Sequence, residues 1–200
     1  MGNDVAPAVA EEVAAVAALH RSLLPDSFLS TLGVAFLDLL YRRVLRQPGS
    51  LLLVARSDGR VVGFIAGTED TSGFYRSFVR HEGLPAAVAT ARRAIRHPST
   101  GMRMAETVWY GRTSSVSGVE LPRAELLSMG VVPEERGRGT ASRLVMALQD
   151  GWRCAGVLRA RVVVPLDNSA AIATYERAGF ASAGRLDVHG DRPSQVMVWG

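Results

Sequence analysis

Apolar positions along the chain follow two periods, one helical and one alternating, and together they mark out an order of elements. Residues 8–24 carry Val9, Val13, Val16, Ala17, His20 and Leu24 at helical spacing until Pro25 ends the run. Asp26 and Ser27 cap a second helical pattern, with Phe28, Leu32, Phe36, Leu39, Leu40 and Val44 on one face and Arg42, Arg43 and Arg46 toward the C-terminal end, where cations are favoured. The two read as a packed pair. Leu51–Ala55 and Arg60–Gly67 are aliphatic strands joined by a Ser-Asp-Gly turn, the strongest hairpin signal in the chain.

Residues 69–120 are less legible: Phe74–Arg80 and Pro85–Ile95 have helical spacing, and Met102–Trp109 reads as another turn or two of helix. An apolar strand pattern over residues 124–132 then passes through a Pro/Gly-marked turn into a helix bearing Leu144, Val145 and Leu148 and ending near Ala155. Leu158–Leu166 is a β-branched run flanked by Gly156 and Pro165, hence a buried strand. A helix over residues 168–178 follows, and Phe180–Val188 with Gln195–Trp199 reads as a final antiparallel pair. No repeat, low-complexity tract or linker interrupts this order, so the 200 residues read as a single α/β domain.

Composition narrows the class. With 48% hydrophobic and 21% charged residues the chain is globular rather than disordered. The 23 basic residues, all arginine, exceed the 19 acidic ones by a net +4 that is scattered, which suits an anionic ligand and leaves no basic stripe for nucleic acid. A lone cysteine, Cys154, excludes an internal disulfide and reads as a structural, half-buried thiol in a reducing compartment. Glu11 and Glu12 interrupt the N-terminal Ala/Val run, and no apolar segment approaches the ~18 residues a bilayer requires. The expectation is a cytoplasmic protein without membrane or nucleic-acid partners. No His/Cys/Asp cluster has metal-ligand spacing, so no metal is expected.

The stretch from Ala124 to Ser142 carries the chemistry. A strand, a tight loop and a helix N-terminus in succession aim several backbone N–H groups in one direction, with the positive end of the helix dipole behind them, and so form a phosphate site. Gly137 and Gly139 let the backbone approach a ligand, and Ala141 keeps the first helical turn small. A Walker A loop is excluded because the chain has no lysine, and the dinucleotide fingerprint needs a third glycine where Ser142 stands.

Arg136-Gly137-Arg138-Gly139-Thr140-Ala141, with its Val131-Val132-Pro133 lead-in, resembles the acyl-CoA loop of the GNAT acetyltransferase superfamily. Farther on, Asn168, Ala171, Tyr175 and Gly179-Phe180 stand where that superfamily's Asn-x-x-Ala-x-x-x-Tyr-x-x-x-Gly-Phe segment has its marked residues. The motifs cover roughly residues 120–182, and residues 8–68 match by element order alone. The resemblance implies a mixed, mostly antiparallel sheet with helices on both faces and two parallel strands, here residues 124–132 and 158–165, that splay to admit acetyl-CoA as acyl donor. It implies that the first edge strand, for which only Asn3–Pro7 is available, is short or missing, and that residues 69–120 are a helical insertion over the acceptor side.

Acyl transfer from a thioester to an amine requires a deprotonated amine, a donor for the developing oxyanion and an acid for the departing thiolate. By the resemblance, the backbone of Met129, Gly130 and Val131 would bond the pantetheine arm, and the amides of Gly137–Ser142, helped by Arg136 and Arg138, would hold the pyrophosphate. Tyr175 is the candidate acid and Glu125 the candidate base, on the same strand side as Leu127 and Met129 by alternation. A base on the next strand is closed off by Val162, Val163 and Val164. Asn168 is a helix N-cap and a candidate contact to the CoA arm. His20, His81 and His189 are further candidate bases or acceptor contacts, His97 beside Pro98 a loop residue, and Tyr75, Trp109, Tyr110 and Arg112 candidate linings of an acceptor pocket. The implied function is N-acetylation of a primary amine of a small molecule, amino sugar or peptide. A non-turnover acyl-CoA-binding module, a longer acyl chain and a homodimer stay open.

Overall fold

Helix α1 (Val13–Leu23) buries Val13, Val16, Ala17 and His20 on one face, the stripe its apolar spacing requires. Gly33 then decides the next step. Its φ of 96° and ψ of 166° are open to glycine alone, and they divide the long pattern after Pro25 into α2 (Phe28–Leu32) and α3 (Val34–Arg46). Ser27 occupies the N-cap position without a side-chain cap bond.

The computed structural model describes residues 4–96, 115–116, 119–188 and 192–200. Strand β1 (Asp4–Pro7) is present and short, antiparallel to β2 (Ser50–Ser57). Strands β2 and β3 (Arg60–Thr68) meet in a two-residue turn whose Asp58 and Gly59 both have positive φ, 49° and 73°. That is the turn Asp-Gly favours, because its twist matches that of the strands. Helix α4 (Thr71–Arg96) unites the two helical patterns of this region, with Pro85 inside it. Strands β4 (Ser115–Val116) and β5 (Val119–Glu120) form a small separate antiparallel pair. The stretch Met102–Trp109, with Tyr110, Arg112, His97 and His189, lies outside the described residues.

Strand β6 (Ala124–Val131) leads to α5 (Thr140–Cys154), β7 (Ala160–Pro165), α6 (Ser169–Arg177), β8 (Phe180–Val188) and β9 (Arg192–Trp199). The seven-stranded sheet has the order β1-β2-β3-β6-β7-β9-β8, and every pairing is antiparallel except β6 with β7. Alternation sends Leu52, Val54, Phe64 and Ala66 to one face, against α1, α3 and α4. Leu53, Ala55 and Ile65 face the other way, onto Leu144, Leu148 and Trp152 of α5. Gly67 lets α5 come this close, since a Cβ there would stand 2.8 Å from the Trp152 ring. Covered on both faces, the central strands carry unbroken apolar runs.

Cys154, expected to be half-buried, is exposed at the last residue of α5. Among the described residues no helix is long and apolar enough to cross a membrane.

Candidate active site

The parallel strands β6 and β7 pair only through Ala124–Ala160, Glu125–Arg161 and Leu126–Val162. Beyond Leu126 they part, and among the described residues neither backbone edge has a strand partner on the gap side. At the same point β6 carries a bulge: Gly67 of β3 faces Leu126 and Ala66 faces Ser128, so Leu127 is the extra residue. The bulge breaks the alternation. Leu127 packs against the α1/α3 core and Met129 against the α5 core, so Glu125 and Met129 do not share a side as strict alternation requires.

The parting opens a cleft of about 790 Å³ whose wall includes His20, Ser128, Met129, Val163, Asn168 and Tyr175. Gly130 and Val131 sit behind that wall. A Cβ on Gly130 would come within 2.9 Å of the Phe64 ring and 3.0 Å of Leu23, so glycine is what this packing tolerates.

At the C-terminal end of β6 the chain turns through Pro133–Glu135 into the loop before α5. Gly137 and Gly139 both adopt left-handed φ, 73° and 77°, and Gly139 is the N-cap of α5. Nothing lies within 4 Å of where a Gly137 Cβ would project, so this glycine serves backbone conformation and leaves open space above it. Arginines surround the loop. Arg136 Nε donates to the Val131 carbonyl at 3.3 Å, Arg138 reaches Glu135 at 3.3 Å, and Arg143 donates to the Arg138 carbonyl and to Thr140 Oγ1. Thr140 is buried, while Ala141 and Ser142 are half-buried in the first turn.

Helix α6 brings the second motif to the same cleft. Asn168 caps it, its Oδ1 accepting from the Ala171 amide at 3.2 Å. Two turns on, Tyr175 packs its ring beside Phe180 and is 5% exposed. Burial pushes the phenol pKa well up, so the group stays a neutral O–H donor. No protein hydrogen bond occupies that hydroxyl among the described residues.

Glu125 is placed differently. It is buried, does not line the cleft, and forms an ion pair with the buried Arg161, Nη2 to Oε2 at 2.9 Å, while Thr71 Oγ1 donates to the same oxygen at 3.0 Å. Tyr75 lies near this pair and packs on Phe74 rather than in the cleft; burial, then the Glu125 charge, raises its pKa. His81 is exposed on α4, bonded to the Ser77 carbonyl. His20 is buried in the cleft wall, and its ring is held neutral by burial, with a pKa of about 4.

A protein-family model described as the acetyltransferase (GNAT) family matches residues 16–180, spanning the helical pair, the parting strands, the glycine loop and α6. The chain belongs to the acetyltransferase (GNAT) family. It is therefore an acyltransferase, and acetyl-CoA is the family's donor. Solved structures agree with the GNAT fold. A ribosomal-protein-alanine N-acetyltransferase from Brucella melitensis superposes with a TM-score of 0.62 at 17% identity, covering 98% of each chain. A phosphinothricin acetyltransferase from Sinorhizobium meliloti, in complex with AcCoA, gives 0.63 at 16% identity over 99% of this chain and 88% of that one. An aminoglycoside 6'-N-acetyltransferase from Acinetobacter baumannii gives 0.59 at 19% identity, over 93% and 95%.

Within this GNAT domain the sequence reading missed Ser128, Tyr41, Arg143 and Arg161. Arg143 had a local signal, one helical turn beyond Gly139 on a loop already rich in arginine. Ser128 and Tyr41 had none, because they meet only through the fold.

Proposed function

We propose that this protein transfers an acetyl group from acetyl-CoA to a primary amine, on a small molecule, an amino sugar or a peptide. The observation that carries the reading is the parting of β6 and β7 after Leu126, with Tyr175 in the wall of the resulting cleft and a loop of left-handed glycines at its end. The residues present fit the donor. The β6 edge at Met129–Val131, beyond its pairing with β7, would offer backbone groups to an extended arm, the loop and first turn from Gly137 to Ser142 would take the pyrophosphate on their amides, and Arg136, Arg138 and Arg143 would supply the countercharge. Asn168, as well as capping α6, lies where it can touch the arm.

When bound, the thioester supplies the activated acyl group. Backbone N–H groups of the Met129–Val131 segment polarise its carbonyl, and Tyr175 donates to the departing sulfur. Glu125, fixed in its ion pair, orients β6 and β7 and does not reach the amine. Among the described residues the charged side chains in the cleft wall are Asp26 and Asp167, with no arginine beside them, a lining suited to a cationic acceptor. Residues 69–120, including α4, are read as an insertion into a single domain that shapes the acceptor side.

Titration calorimetry with acetyl-CoA and desulfo-CoA, then thiol release across a panel of amines, tests this reading. Binding followed by thiol release on one amine class is the expected result, and absence of binding would end it. A binding module without turnover needs no group for the amine proton, whereas here His20 lines the cleft.

A further inference from the structure

We propose that His20 accepts the proton of the acceptor amine, through a hydrogen-bonded chain His20–Tyr41–Ser128 whose two end residues both line the cleft. The proposal rests on the N-acetyltransferase reading and assigns its missing base.

His20 Nδ1 bonds Tyr41 Oη at 2.5 Å, and Tyr41 Oη bonds Ser128 Oγ at 2.9 Å. The three residues come from α1, α3 and the bulged part of β6. His20 and Ser128 line the cleft; Tyr41, between them, is 0% exposed and does not. The imidazole stacks on Phe64, with ring centroids 6.0 Å apart, which fixes its plane. Its second nitrogen, Nε2, is buried and has no partner among the described residues. Such an orphan is costly, and a ligand entering the cleft that His20 lines is what can satisfy it.

A buried imidazole resists becoming a cation, as its depressed pKa reflects. The chain removes that obstacle. In the resting state Nδ1–H donates to Tyr41 Oη, Tyr41 Oη–H donates to Ser128 Oγ, and Nε2 is bare. The amine proton then forms an N–H bond at Nε2, Nδ1 yields its proton to Tyr41, Tyr41 yields its own to Ser128, and Ser128 releases one to water in the cleft. One proton enters and one leaves. Every member ends neutral, with the imidazole in its other tautomer. Among the described residues the other titratable side chains in this wall are Asp26, Asp167 and Tyr175.

The test combines turnover with nitrogen-15 NMR of the free protein. Wild-type protein should show a neutral His20 ring with its proton on Nδ1 at neutral pH. His20→Asn, whose amide can keep the Tyr41 bond but has no second ring nitrogen, should lose roughly 10²–10⁴-fold in kcat. Tyr41→Phe, which leaves the imidazole in place, should lose roughly tenfold or more, and both variants should bind acetyl-CoA within about twofold of wild type by calorimetry. A resting ring with its proton on Nε2, or kcat values for both variants within about threefold of wild type, would overturn the relay. Wild-type protein that binds acetyl-CoA yet releases no thiol with any amine would instead remove the transferase reading, and the relay with it, before any variant is made.

Discussion

Glu125 and Arg161 face one another across the parallel strands one position before the strands part, and their side chains close a buried ion pair 2.9 Å long. The pair clamps β6 to β7 at the closed end of the cleft. Removing one partner takes the opposite charge away from the other, which stays buried. Glu125→Gln should therefore lower the unfolding free energy by roughly 3–5 kcal/mol, and Glu125→Leu with Arg161→Met should recover most of that loss. Urea unfolding measures both. Below its melting temperature, Glu125→Gln should release thiol within about threefold of wild type, and a loss approaching that of a missing base would return that role to Glu125.

Tyr175→Phe isolates the hydroxyl. Because no protein group among the described residues bonds that hydroxyl, the variant should melt within a degree or two of wild type, a shift well under about 1 kcal/mol. Its kcat should fall roughly 10- to 100-fold with acetyl-CoA affinity nearly unchanged. Loss of affinity with kcat intact would make Tyr175 a binding group instead.

Three glycines separate strain from function. Gly59, Gly137 and Gly139 share a left-handed φ, 73°, 73° and 77°, and alanine at each costs roughly 1–2 kcal/mol of backbone strain. Gly59 sits in the β2–β3 turn, far along the chain from the glycine loop before α5. Gly137→Ala and Gly139→Ala should weaken acetyl-CoA binding about tenfold or more in calorimetry, while Gly59→Ala lowers stability and leaves affinity alone.

His20 sets an acid limit on stability. Its ring titrates at about 4 in the folded protein against 6.5 in an exposed chain, because burial penalises the cation. As pH falls through that window the unfolded chain takes the proton first. His20 thus contributes on the order of 3 kcal/mol that is fully present above pH 6.5 and lost progressively toward pH 4. Denaturant unfolding at several pH values across that range should show a steeper acid decline for wild type than for His20→Asn.

Local chemistry was legible in the chain. Asp58-Gly59 determined the β2–β3 turn because few residues other than Asn, Asp and Gly adopt its two left-handed positions. Gly137 and Gly139 determined the loop for the same reason, and Asn168 with Tyr175 placed the second motif on one helix. Periodicity was less reliable where a single residue outweighed it. Gly33 divides a pattern that looks continuous, and Pro85, read as the start of a new helix, lies inside α4. The buried face of α5 runs out before Cys154, which leaves that thiol in solvent.

The amino-acid sequence by itself determined most of the elements, their order, the family and the glycine loop after β6, since each depends on the intrinsic conformation of neighbouring residues. Only the tertiary structure decided what faces the cleft. Glu125 meets Arg161 across 36 residues and Tyr41 meets Ser128 across 87, and neither distance leaves a trace in local spacing. The bulge at Leu127 adds one residue to β6, and a sheet with a side-chain period of two turns everything beyond it to the opposite face.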